Sequence, residues 1–214
     1  MMKEQRLKLI ECPRDAMQGW KTFIPTEKKI QYINTLLQVG FHTIDFGSFV
    51  SAKAIPQMAD TKKVVRDLDL GTGKTKLLAI VANERGAEEA VVFDEITYLG
   101  FPFSVSETFQ QRNTNSSISE SLERVEAIQE LCIKNKKQLV VYLSMGFGNP
   151  YGDQWSEEIV FAWAEKLVAL DIEILSLADT VGLATAEQVK RMTAYLIQQL
   201  AQTEIGVHLH STSF

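Results

Sequence analysis

The residues that could do the most chemistry lie near the end of the sequence, in Gly206-Val-His208-Leu-His210-Ser211, which holds two of the three histidines of the chain. In an extended strand alternate side chains share a face, so His208 and His210 point the same way, about 6.5–7 Å apart along the backbone. Two imidazoles so placed can converge on one metal ion, with bonds of about 2.0–2.2 Å, if an oxygen donor completes the set. The plainer alternative is a pair of polar side chains on a solvated strand face. Asp15 is the candidate oxygen. It follows an apolar stretch, residues 7–12, that is broken by Pro13, and hard divalent cations prefer carboxylate ligands. Arg14 stays protonated and can stabilise negative charge developing on a substrate oxygen. The alternative for this pair is a surface arginine and a turn-forming aspartate.

Elements that could position these residues can be read in order. Apolar runs predict strands at residues 7–12, 42–48, 76–82, 90–96, 138–144, 173–179 and just after Gly206. Between them fall helical patterns: Ile30, Ile33, Leu36 and Leu37 after a cap at Thr26, with Gly40 as the stop, then a second pattern from Pro56 through Val64 and Val65. Ser117 and Glu120 form a capping box ahead of Leu122, Val125, Ile128, Leu131 and Cys132. Ser156 caps the next helix, and Thr185 with Gln188 makes a second box. The residues between strand four and Ser117, through Asn113 and Asn115, read as a polar loop.

Strands that are apolar on both faces and alternate with helices imply a parallel sheet covered by helices. A doubly wound sheet competes with a (β/α)8 TIM barrel. The barrel better explains why Arg14, Asp15, Ser48, Asn83, Glu95, Asn149, Asp179 and Thr180 gather at expected C-terminal strand ends, the face where such barrels place their chemistry. Such a barrel typically needs about 250 residues, so the expectation is a single barrel domain over residues 1–214, C-terminally incomplete, with about seven strands and six helices. Gly71-Thr-Gly73-Lys74-Thr75 resembles the end of a phosphate-binding loop but has Leu68 where the first glycine belongs, so it reads as a turn.

Composition narrows the class further. With 214 residues, 45% of them hydrophobic, the chain can bury a sizeable core, and its net charge of -5 argues against nucleic acid as a partner. No apolar run approaches a membrane span, and the N-terminus has no signal-peptide core, so the expected location is cytoplasmic. Cys12 and Cys132 lie in apolar surroundings and read as reduced thiols.

Several blocks together resemble the hydroxymethylglutaryl-coenzyme A lyase family, the lyase branch of the DRE-TIM metallolyases. They are Glu11-Cys-Pro-Arg-Asp-Ala-Met-Gln18, Ile44-Asp-Phe-Gly-Ser-Phe-Val-Ser51 with Pro56-Gln-Met-Ala-Asp60, Ser106-Glu-Thr-Phe109 with Asn113-Thr-Asn115, Ser176-Leu-Ala-Asp-Thr-Val-Gly182, and Val207-His-Leu-His210. The resemblance implies a (β/α)8 barrel that binds Mg2+ or Mn2+ and cleaves a 3-hydroxy-3-methylacyl-coenzyme A, such as 3-hydroxy-3-methylglutaryl-coenzyme A, to acetyl-coenzyme A and a keto acid. It further implies that Asp15, His208 and His210 hold the metal, that Arg14, Asp45, Asp179 and His208 are catalytic, and that Gln18, Ser176 and Thr180 bind the acyl-coenzyme A substrate. Asp45 stands where lyases carry glutamate, Ser211 replaces an aspartate, and Val140 falls where lyases tend to carry arginine. An asparagine ligand and a Gly-rich loop with a catalytic cysteine follow the seventh strand in the lyases, in a region this sequence does not include. The remaining alternatives are a related aldolase or Claisen-type synthase, a zinc hydrolase on the same barrel, and a metal-binding fragment without turnover. A homodimer is the simplest assembly to expect.

Overall fold

The computed structural model describes residues 7–210. Among them the chain runs β1 (Ile10–Glu11), α1 (Pro13–Gln18), α2 (Thr26–Leu37), β2 (Thr43–Ser48), a 3-10 turn (Pro56–Met58), α3 (Thr61–Asp67), β3 (Lys76–Ile80), α4 (Glu84–Val91) and β4 (Ile96–Ser104). It continues with α5 (Glu107–Thr114), α6 (Ile118–Lys134), β5 (Gln138–Ser144), α7 (Glu157–Val168), β6 (Ile174–Asp179), α8 (Ala186–Gln199) and β7 (Glu204–Leu209). Two compact units divide it, Met1–Val81 with Arg85–Leu99, and Ala82–Glu84 with Gly100–Phe214. In both, strand order follows chain order.

In the first unit β1, β2 and β3 pair in parallel, with Glu11 opposite Ile44 and Asp45 opposite Leu78. Every residue of β2 is buried, so its Ile44 and Phe46 join Leu77, Leu78 and Ala79 of β3 in a core closed by Ile33, Val64 and Val65 from the helices. The register slips between Asp45 and Gly47. A Cβ on Gly47 would stand 2.8 Å from the Thr61 side chain, so glycine is what lets α3 begin so close to β2.

In the second unit β5, β6 and β7 are parallel, with Ser176 opposite both Tyr142 and Gly206, and Ala178 opposite His208. Val141, Leu143, Leu175 and Leu177 are buried together with Val125, Ile128, Val160, Ala164, Met192 and Leu196 from α6, α7 and α8. Continuous apolar runs in the strands and a 3.6-residue apolar stripe in the helices are what a covered parallel sheet requires. Local signals agree. Ser117 and Glu120 form the capping box, and Ser156 and Thr185 accept the backbone N–H of Ile159 and Gln188.

Four expectations are corrected. Residues 90–96 are not a strand: Ala87, Ala90 and Val91 form the buried stripe of α4, and the strand follows as β4, whose Gly100 and Pro102 hide its pattern. Glu95 therefore precedes a strand instead of ending one. The polar segment before Ser117 contains α5, capped by Ser106 and closed by Asn115 in the left-handed conformation at φ 51°. Thr26 is the first helical residue of α2 rather than its cap, and its hydroxyl donates to Asp60 at 2.8 Å. Residues 13–18 are helical, and only Ile10 and Glu11 of the expected first strand are paired. Eight α-helices stand among the described residues against about six expected, with α1, α4 and α5 in segments where no helix was read.

No described helix is long and apolar enough to cross a membrane. Neither cysteine forms a disulfide, as expected, and burial pushes each thiol up to about 12, which leaves little reactive thiolate.

Candidate active site

In the first unit, chemistry is concentrated where β1 gives way to α1. Pro13 opens the helix at a position that tolerates a missing N–H, and Asp15 in the first turn complements the helix dipole. The helical repeat brings Arg14, Asp15 and Gln18 onto neighbouring positions of one surface. Arg14 Nη1 donates to Asp15 Oδ1 at 2.8 Å and to Gln18 Oε1 at 3.1 Å, while Gln18 Nε2 donates to the same Asp15 oxygen at 2.9 Å.

Asp45 comes from the middle of β2, and its side chain is only 1% exposed. The other edge of Arg14 grips it, Nη2 at 2.6 Å and Nε at 3.0 Å from Oδ2. A carboxylate so buried is tolerable only when paired, and a two-point guanidinium clamp supplies the pairing with fixed geometry. The shorter aspartate thus sets the plane of the Arg14 guanidinium.

The second unit holds the histidines. His208 lies in β7 and His210 directly follows its last residue, with their Nε2 atoms 3.2 Å apart. Two nitrogens bonded to one ion at about 2.1 Å, at angles of roughly 90–110°, stand about 3.0–3.4 Å apart, so the pair fits joint coordination. The Tyr142 ring meets His208 edge-on, centroids 5.8 Å apart at 86°. His210 Nδ1 lies 3.0 Å from the Thr180 carbonyl oxygen. Ser176 is buried on β6 beside Gly206. Val140 is buried and apolar, and Ser211 lies outside the described residues.

Asp179 is 4% exposed and turned into its own loop, where its carboxylate accepts the N–H groups of Leu183 at 2.7 Å and Ala184 at 3.2 Å. Asn149, expected on the active face, braces its loop instead: its Oδ1 accepts from Tyr151 and Asp153.

Sequence reading missed Asp153. Its carboxylate accepts Ser106 Oγ at 2.5 Å, Thr108 Oγ1 at 2.7 Å and the Thr108 N–H at 2.9 Å, tying the start of α5 to the loop after β5. Nothing local signals a pairing across more than forty residues. The Ser106 and Thr108 hydrogen bonds hold Asp153 below its ordinary carboxylate range. A depressed pKa contributes stability above the unfolded value of about 3.9, and that contribution is lost as pH falls through the lower folded value. We therefore expect Asp153→Asn to unfold at lower urea concentration than wild type near neutral pH, with the gap closing below the carboxylate range. A gap independent of pH would contradict this.

Comparison with known proteins gives the class first. The hydroxymethylglutaryl-CoA lyase of Bacillus subtilis, a solved structure, superimposes with a TM-score of 0.90 at 33% identity over 99% of this chain and 70% of that one. That of Acinetobacter baumannii, solved with coenzyme A and 3-methylmalate, gives 0.87 at 32% identity over 95% and 66%. The fold is that of a (β/α)8 barrel, of which the described residues supply seven strands.

The family description termed HMGL-like matches residues 7–213, and the chain belongs to that family. The mitochondrial hydroxymethylglutaryl-CoA lyase of Mus musculus is 33% identical over 211 residues, which cover 97% of this chain and 64% of the mouse protein. The chain thus spans less than two thirds of the length of this relative.

Proposed function

We propose that this chain carries the metal-binding and substrate-polarising part of a carbon–carbon lyase that cleaves 3-hydroxy-3-methylglutaryl-coenzyme A, or a related branched 3-hydroxyacyl-coenzyme A, to acetyl-coenzyme A and a keto acid. The observation that carries the reading is the Arg14–Asp15–Gln18 surface locked by Asp45, found in a chain whose relatives bear the name of that lyase. His208, His210 and Asp15 would hold one Mg2+ or Mn2+, a donor set of two imidazoles and a carboxylate that suits a divalent cation. Such an ion, when bound, acidifies a coordinated hydroxyl.

The side chains of the protein divide the remaining work. Arg14, already desolvated and oriented, is placed to hold the thioester oxygen as it gains charge, and a preorganised donor of this kind supplies much of the catalytic gain in enolate-forming reactions. Asp45 positions Arg14. His208 and Asp179 are the candidates for proton transfer, and Gln18 and Ser176 for contact with the acyl group. The coenzyme A complex of the A. baumannii relative supports an acyl-coenzyme A as substrate. We assign the protein to the cytoplasm, as for the zebrafish relative named a cytoplasmic lyase, although the mouse relative is mitochondrial. A homodimer is the proposed assembly.

The test is an assay of the full-length protein with a panel of 3-hydroxyacyl-coenzyme A esters, with and without Mn2+. Metal-dependent release of acetyl-coenzyme A from the branched ester is expected. No release from any ester would remove the lyase reading, and release from an unbranched ester alone would move it to a related aldolase.

A further inference from the structure

We propose that Thr180 is a positioning residue whose carbonyl selects the tautomer of His210 and whose hydroxyl holds that carbonyl in place. The proposal rests on the reading of His210 as a metal ligand, and it redirects Thr180 from the substrate-contacting role that the family resemblance implies.

A carbonyl oxygen can only accept. With the Thr180 oxygen 3.0 Å from His210 Nδ1, the proton of a neutral ring must sit on Nδ1, which makes Nε2 the nitrogen with the lone pair. That Nε2 is the atom turned towards His208 Nε2, at 3.2 Å. Selection of one tautomer by an outer hydrogen bond presents a metal-ready nitrogen and fixes the ring plane.

The carbonyl has to be immobile for this to work, and three sets of bonds hold it. Thr180 Oγ1 accepts the Met145 N–H at 2.9 Å, linking the end of β6 to the loop after β5. On the N-terminal side, the Ala178 carbonyl accepts the Gly146 N–H at 3.1 Å, and a Cβ on Gly146 would meet the Leu143 carbonyl at 2.8 Å, so this approach depends on glycine. On the C-terminal side, Asp179 takes the Leu183 and Ala184 N–H groups. Of these ties only the Thr180 hydroxyl can be removed without a change of backbone or charge, because valine has the same shape.

The experiment compares wild type, Thr180→Val and Thr180→Ser. Imidazole 15N shifts are read in the metal-free protein at alkaline pH, Mn2+ affinity by calorimetry, and the thermal midpoint reports folding. Wild-type His210 should carry its proton on Nδ1. Thr180→Val should show a mixed tautomer population and bind Mn2+ about 10–100-fold more weakly, the range for lost outer-shell partners. Thr180→Ser should restore both. Wild-type His210 protonated on Nε2 would overturn the proposal, even if the valine variant failed to fold. So would a folded Thr180→Val with unchanged tautomer and Mn2+ affinity. Wild type with the Nδ1–H tautomer but no Mn2+ uptake would uphold the clamp and instead remove the metal-ligand reading of His210.

Discussion

Arg14→Ala is expected to destabilise the first unit by about 3–5 kcal/mol, the cost of taking the guanidinium clamp from a buried carboxylate. Asp45 cannot turn to water from the interior of β2, where the whole strand is buried. It would have to take up a proton, or the strand would have to shift. Neutralising the other partner should reverse most of the loss. The double variant Arg14→Met with Asp45→Asn removes both charges, keeps much of the volume, and should recover a large part of the stability in urea denaturation. Equal midpoints for the single and double variants would mean that the pair is not the source of the effect. A structural loss of this size also explains why activity data on Arg14 variants must be read beside their stability: the same guanidinium is proposed to face the substrate.

His208→Ala should weaken Mn2+ binding on the order of 100-fold or more while leaving the fold nearly unchanged. His208 is half-buried near the end of β7, and its ring meets Tyr142 edge-on without being enclosed in a core. The expected signature is therefore separation of two readouts, a thermal midpoint close to wild type and calorimetric heats of Mn2+ binding that vanish. Asp15→Ala should behave alike for metal, with some added loss of stability because Asp15 also receives Arg14 and Gln18. Unchanged Mn2+ affinity in either variant would remove that residue from the ligand set.

Strands with uninterrupted apolar runs were legible from composition alone. The run at residues 138–144 coincides with β5 because Lys134, Lys136 and Lys137 end the preceding helix and mark its start sharply. The reading failed where two periodicities overlap. Ala-Val-Val at residues 90–92 suits a strand and a helix equally, and only the burial of Ala87 with Ala90 decides for α4. Residue types that could do chemistry stood out, since two histidines two apart and an Arg-Asp pair after a strand are local patterns. What holds them did not. Asp45 reaches Arg14 from another strand, and the Thr180 carbonyl belongs to a group that every residue carries, so no letter of the sequence could announce it.

The short helix α1 has one further consequence. Arg14, Asp15 and Gln18 meet only because two intervening residues, exposed Ala16 and buried Met17, wind the chain by the right amount. Each residue turns a helix by about 100°, so one inserted or deleted there would carry Gln18 roughly a third of a circle away from the Arg14–Asp15 pair. The segment acts as a ruler: the identity of residue 16 is open to change, while its length is not.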